Sequence, residues 1–297
     1  MKPVVLITGA AGLIGQYLVK NAPRWAPGRA ALGLTRESVD LSDFPRLESL
    51  FRTIAPRAVI HCAALSRTND CERDPKRAQL MNVDVTRRLA ALARHIPLLF
   101  LSSGEVFDGR KGWYDEADPP NPINVYGKTK LEAEQYVLEN PRHSVLRIVL
   151  TAGTSASGDR SFVEEMCRSA RSGSKVRLYA DEFRCPLPAG AIARAAWELI
   201  EQEAQGLFHL GGRDRMSRWD IGEALMSPFP ELGNRLVKSS SQHHTGAPRP
   251  ADLSLRCEKI QRLLSFQIPG FREWIAARTG QGGDLWDYPD EARDGSA

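Results

Sequence analysis

Cysteine is scarce in this sequence and has no pattern. Cys62, Cys71, Cys167, Cys185 and Cys257 are scattered over 297 residues. Their number is odd, no two are spaced Cys-x-x-Cys, and no histidine stands beside them at ligand spacing. That excludes a disulfide scaffold and a thiolate metal site, so reduced thiols, a cytoplasmic setting and no metal are expected. Long apolar runs are missing as well. Met1 and Lys2 lead into a short strand-like run and a glycine turn, with no stretch long enough for a signal peptide or a membrane span. Charge of one sign is also lacking: 40 Lys and Arg oppose 36 Asp and Glu, for a net charge of +4, with no block of five or six like charges. A nucleic-acid partner is therefore not expected. What remains is a chain that is 42% hydrophobic, enough for a substantial core.

The apolar residues come in two periods. Short runs such as "PVVLITG", "AALGLTR", "RAVIHCAA", "PLLFLSS" and "SVLRIVL" alternate with longer amphipathic ones such as "GLIGQYLVKNA" and "KRAQLMNVDVTRRLAALARHI". The short runs barely alternate, as expected of strands buried on both faces. The prediction is an α/β fold, a doubly wound parallel sheet of Rossmann type, with a smaller, mostly helical C-terminal substrate domain. We assign residues 1–157 and 176–212 to dinucleotide binding, 158–175 and 213–280 to the smaller part, and 281–297 to a loose tail. In such a sheet ligands bind beyond the carboxyl ends of the strands.

Three segments sit at expected strand ends. "TGAAGLIG" places Gly9, Gly12 and Gly15 three residues apart between a strand and a helix. The first glycine permits the turn, the second lets backbone approach a pyrophosphate, and the third lets helix and sheet pack closely. Gly9, Ala11, Gly12, Leu13, Ile14 and Gly15 are thus the expected cofactor contacts, with the helix N-terminus facing the anion. After the second strand comes "GLTRES". Arg36 suits a ribose 2′-phosphate and Glu37 a 2′-hydroxyl, so NADP is expected with NAD as the alternative. Ser102 and Ser103 close the fourth run. Past a long Gly-, Pro- and Asp-rich loop, Tyr126 and Lys130 lie four apart on a helix, addressing one small site. A phenol is a weak acid or base near neutral pH unless a cation steadies its phenolate, and Lys130 is the cation at hand. His61 and the pair His243 and His244 are expected to be packing or surface residues. Trp113 and Tyr114 either cover a substrate or anchor the long loop.

Taken together, "TGAAGLIG", "HCAAL", "LSSGEVFDGRKGWYDEADPPNPINVYGKTKLEAEQ" and "RPADLSLRCEKI" resemble the extended short-chain dehydrogenase/reductase family over roughly residues 3–275. Within it the chain is most similar to the dTDP-4-dehydrorhamnose reductase group, which also includes a regulatory subunit of methionine adenosyltransferase. The resemblance implies a catalytic set of Ser103, Tyr126 and Lys130, with Tyr126 and Lys130 also touching the cofactor. It places Asp40 and Leu41 near the adenine, Ala63 and Ala64 near the pyrophosphate and ribose, and Arg249 at the phosphates of a nucleotide sugar. It implies reduction of a 4-keto sugar nucleotide by NADPH, and possible homodimers. The alternatives are an epimerase or dehydratase on the same cofactor, or a catalytically silent NADP-binding regulatory subunit. The chain departs from the group at three places: Gly104 and Glu105 stand where Asp-Tyr follows the serine or threonine, Leu150 where a pocket tryptophan is common, and Tyr17 where metal-bridged dimers carry a glutamate. Glu105 is then an expected substrate contact of this chain's own.

Overall fold

A computed structural model describes residues 2–279, so the expected tail at 281–297 lies outside the described residues. The strands of the first half are β1 (Val4–Thr8), β2 (Ala30–Leu34), β3 (Ala58–His61), β4 (Leu98–Ser103) and β5 (Ser144–Ile148). Then follow β6 (Thr151–Ala152), β7 (Val176–Tyr179), β8 (Phe183–Arg184), β9 (Leu187–Pro188), β10 (Gly206–Leu210), β11 (Met216–Ser217) and β12 (Leu236–Ser239). Six of them form one sheet in the order β10-β5-β4-β3-β1-β2, every neighbouring pair parallel. From β1 the chain goes to one side to make β2 and returns to the other to make β3. The strand order reverses there, which opens a crevice at the carboxyl ends of β1 and β3.

Helices cover both faces. On one side α1 (Leu13–Trp25) and α8 (Ala189–Glu201) pack together through Leu18, Ala193 and Trp197. The Trp197 indole donates to the Leu18 carbonyl at 3.0 Å, so even the largest buried ring has its polar atom satisfied. On the other side α2 (Phe44–Ile54), α5 (Val85–Leu92) and α6 (Val125–Leu138) bury Leu47, Leu89 and Val137. The run at 76–96, expected as one helix, is continuously helical as far as Leu92, through α4 (Pro75–Gln79), a π-helical turn at Leu80–Asp84, and α5. Before them lies α3 (Thr68–Arg73).

The smaller part surrounds its own core of Val163, Met166, Leu178, Ile221, Leu225 and Phe271, contributed by α7 (Phe162–Arg171), β7, α9 (Arg218–Met226) and the helix Phe271–Thr279. The strand Val176–Tyr179, assigned from sequence to the dinucleotide-binding stretch, pairs with β12 instead of the main sheet. The reason lies in its side chains: Leu178 is buried against α9, where Gly222 leaves it room. Among the described residues no helix is long and apolar enough to cross a membrane.

Candidate active site

The glycine turn is made by steric necessity. Gly9 has φ +70°, and a side chain there would come within 2.8 Å of the Ala63 amide nitrogen. A Cβ at Gly15 would collide with the Gly9 carbonyl oxygen. Gly12 is the N-cap of α1 and brings no capping side chain, and the first turn holds no acid, so the positive end of the helix dipole faces the crevice. The Gly12 amide closes the turn on Gly9 O at 2.8 Å, and the Ala10 amide ties it to Leu34 O at 3.0 Å. Ala11, Leu13 and Ile14 lie along the same turn.

The far lip is held by a buried chain of hydrogen bonds. Thr8 Oγ1 accepts from the amides of Cys62 and Ala63, both at 3.2 Å, and lies 2.6 Å from His61 Nδ1. Thr86 donates its hydroxyl proton to Asn82 O at 2.7 Å, so at 2.9 Å His61 must donate from Nε2 and accept at Nδ1 from Thr8. Burial, assisted by the charge of Lys130, depresses the His61 pKa to about 3, so the ring stays neutral. His61 is thus a packing residue that fixes the loop carrying Ala63 and Ala64.

At the end of β2, Arg36 stands exposed on a turn closed by Thr35 and Ser38. Asp40 is held below its ordinary carboxylate range by hydrogen bonds from Ser42, with the charge of Arg36 adding to them. Leu41 is buried beneath.

Ser103 ends β4, and its Oγ accepts from the Glu105 amide at 3.2 Å. Asn124 caps α6 by accepting from the Gly127 amide at 2.8 Å, and Glu72 accepts from the Val125 amide at 2.8 Å. A side chain at Gly127 would strike the Glu105 carbonyl oxygen, so this glycine lets the helix start close against the turn after Ser103. Tyr126 is thereby brought next to Ser103, close enough for the serine to act on its phenol. Burial pushes the phenol above its ordinary pKa; the neighbouring Ser103 works against this, and the charge of Glu105 adds to it. Lys130 is 2% exposed, and its Nζ donates to Leu101 O at 2.7 Å while lying 3.8 Å from the centre of the Phe100 ring. Helical spacing puts Lys130 on the face of Tyr126, but a buried ammonium needs an acceptor, and the strand carbonyl below supplies it. The structure therefore brings Ser103 and Tyr126 together and turns Lys130 toward β4 instead of the phenol. Burial brings the lysine pKa down to about 7, against the raising charge of Glu134. Glu134 in turn accepts from Ser102 and pairs with Arg147 at 2.7 Å, tying α6 to β4 and β5.

Beyond Tyr126 lies a cationic cluster that sequence reading found only in part. Glu182 is 1% exposed and takes both Nε and Nη2 of Arg249 at 2.6 Å, with Arg184 at 3.2 Å. Burial raises the Glu182 carboxyl, and the Arg249 hydrogen bonds with the charges of Arg184, Arg249 and Arg218 more than reverse it. Burial also brings Arg218 down to about 10. One carboxylate thus faces three guanidinium groups. Arg218 and Arg249 line a cavity of about 400 Å³ together with Phe162, Arg177, Tyr179 and His244. Glu105 lies between this cluster and Tyr126. Its Oε2 accepts from Asn124 Nδ2 at 2.8 Å, and its Oε1 is 3.9 Å from Arg184. The signal for Glu182 and Arg184 was the pair's place just after β7, but charge alone did not distinguish them from a surface run.

The remaining candidates have structural places. Tyr114 anchors the long loop, stacked on Phe107 at 4.1 Å and donating to Asp108 at 2.7 Å. Trp113 is exposed, at φ +46°. His243 is exposed, and His244 lies 3.2 Å from the Tyr179 hydroxyl. Leu150 packs against the smaller core, and Tyr17 bonds to Thr154 O.

A family model described as the RmlD substrate binding domain matches residues 1–281. A dTDP-4-dehydrorhamnose reductase of Sinorhizobium fredii is 31% identical over 282 residues, 90% of this chain and 93% of that protein. Methionine adenosyltransferase 2 subunit beta of Mus musculus is 31% identical over 298 residues, 96% of this chain and 87% of the relative. Among solved structures, a dTDP-4-dehydrorhamnose reductase from Yersinia enterocolitica matches with TM-score 0.83 at 26% identity, covering 94% of this chain and 99% of that one. Another from Bacillus anthracis, in complex with NADP, matches with TM-score 0.84 at 23% identity, covering 92% and 97%. With a family match over nearly the whole length, and a glycine turn at the switch point of the sheet, the chain belongs to the RmlD substrate-binding family of extended short-chain dehydrogenases/reductases.

Proposed function

We propose that this protein reduces the ketone of a sugar nucleotide with NADPH. The observation that carries this reading is the backbone cradle that a Cβ at Gly9 or Gly15 would fill, with Ser103 at the carboxyl end of β4 and Tyr126 beside it where Gly127 lets α6 start close against the turn. The cradle fits a dinucleotide pyrophosphate, with Arg36 for the 2′-phosphate, Asp40 and Leu41 for the adenine, and Ala63 and Ala64 for the inner ribose. Bound there, NADPH supplies the hydride. Ser103 orients the carbonyl oxygen, and Tyr126, kept protonated by burial, gives that oxygen its proton. Lys130, its Nζ on Leu101 O and turned from the phenol, is the cation we assign to the nicotinamide ribose. Arg249, backed by Glu182, meets the phosphates of the substrate, and Glu105 meets its sugar. In this division residues 1–157, with α8 and β10 completing the sheet, hold the dinucleotide, while β7, α7, α9 and Arg249 hold the sugar nucleotide. A cytoplasmic homodimer is the setting we infer, in keeping with five free thiols.

The test is NADPH consumption with a panel of keto sugar nucleotides. Turnover should appear with at least one of them, and Tyr126→Phe should lower it by about 10³-fold while leaving NADPH affinity within about twofold. Absence of NADPH binding would overturn the reading. A second reading, a regulatory subunit that binds NADP without turnover, is favoured by the similarity to methionine adenosyltransferase 2 subunit beta. NADPH binding with no turnover on the panel, together with co-purification of a catalytic partner, would select it.

A further inference from the structure

Between the proton donor and the guanidinium cluster one acidic side chain spans the gap. Glu105 stands on the 3₁₀ turn Gly104–Val106, two residues past Ser103, with its amide on Ser103 Oγ at 3.2 Å and its carbonyl packed against Gly127. Its place relative to Ser103 and Tyr126 is therefore set by backbone. The side chain is 20% exposed. Oε2 is used by Asn124 at 2.8 Å, while Oε1 is 3.9 Å from Arg184, beyond hydrogen-bond reach, so that oxygen keeps its accepting capacity. The charge of Glu105 acts on the Tyr126 phenol on one side and on Arg249 on the other. A ring whose carbonyl sits at Ser103 and Tyr126, and whose phosphates sit at Arg249, must pass this carboxylate.

We propose that Glu105 determines substrate choice, its free carboxylate oxygen accepting a hydrogen bond from a hydroxyl or amino group on the ring carbon next to the reacting carbonyl. The inference rests on the reductase reading above and adds the chemical feature the sugar must carry. A carboxylate can only accept, so a substrate without a donor at that carbon leaves a partly buried oxygen without a hydrogen bond. Sites built in this way discriminate far more strongly than apolar pockets.

The experiment is a cycle on the full chain with NADPH and two substrates: a keto sugar nucleotide with a hydroxyl on the carbon adjacent to the carbonyl, and its deoxy analogue at that carbon. kcat/KM is measured for the wild type, Glu105→Ala and Glu105→Gln, with NADPH binding as the check on folding. The wild type should prefer the hydroxyl compound by roughly 10- to 100-fold. In Glu105→Ala that preference should collapse to about threefold or less, with Glu105→Gln intermediate. If Glu105→Ala does not bind NADPH, Glu105→Gln carries the cycle. Equal losses on both substrates would mean that Glu105 only braces Asn124 and the start of α6, overturning this inference and sparing the reductase reading. A wild type that binds NADPH but reduces neither compound would overturn both.

Discussion

The two ends of the crevice are built from different materials. At the cofactor end, Gly9, Gly12, Gly15 and Ala63 present backbone, and the buried Thr8–His61–Thr86 chain holds the lip with neutral hydrogen bonds. At the substrate end, Glu182 gathers Arg184 and Arg249, with Arg218 close by, into a partly desolvated ionic cluster. Backbone at a helix N-terminus recognises an anion through fixed geometry and tolerates almost no added atom. A cluster of paired charges recognises an anion through a surplus of positive charge, and it can be retuned by moving one carboxylate. Under the proposed function, the first end suits the dinucleotide and the second the sugar nucleotide.

The largest effect should come from attacking the backbone end. Gly15→Ala puts a methyl group against the Gly9 carbonyl oxygen, so NADPH affinity should fall by at least about 100-fold in a fluorescence titration, with thermal stability lowered as well. The ionic end should respond differently. Glu182→Ala leaves buried guanidinium groups uncompensated and should cost about 3 kcal/mol in urea unfolding. It should also raise KM for the sugar nucleotide while NADPH affinity changes by less than about threefold. If Glu182→Ala weakened NADPH as much as Gly15→Ala does, the division between the two ends would be wrong. The smallest effect belongs to Arg36. This side chain is exposed, so Arg36→Ala should reduce the preference for NADPH over NADH by about tenfold, read from the two binding constants, and leave folding unchanged.

How much of this was legible beforehand follows from the same contrast. The six strands of the main sheet are all apolar runs bounded by turn residues, and the glycine turn is a local feature, so the cofactor end could be read from a few contiguous residues. The substrate end could not. Glu182 and Arg249 are distant in sequence, as are Ser103 and Tyr126, and only the fold brings each pair together. The π-helical turn at Leu80–Asp84 keeps the apolar pattern of the helices around it, so periodicity does not reveal it. Yet that turn places Asn82, which bonds Leu65 on the crevice lip and Thr129 on α6. Helical spacing correctly put Tyr126 and Lys130 on one face but did not say where a flexible, buried ammonium would point. Strand β7 fell in the stretch assigned to the dinucleotide because its partner, β12, lies about 60 residues further along and is only four residues long, too short to stand out in the sequence.

The central claim is that Tyr126 and Ser103 serve a net reduction, with the hydride leaving the dinucleotide for the substrate carbon. Isotope transfer tests it most directly: NADPH deuterated at the transferring carbon is incubated with a keto sugar nucleotide, and product and spent cofactor are analysed by mass spectrometry and NMR. The account predicts one deuterium on the new carbinol carbon, matched by NADP⁺ formed in equal amount, and both formed about 10³-fold more slowly in Tyr126→Phe. A product without deuterium, or a changed sugar formed with no net loss of NADPH, would contradict it.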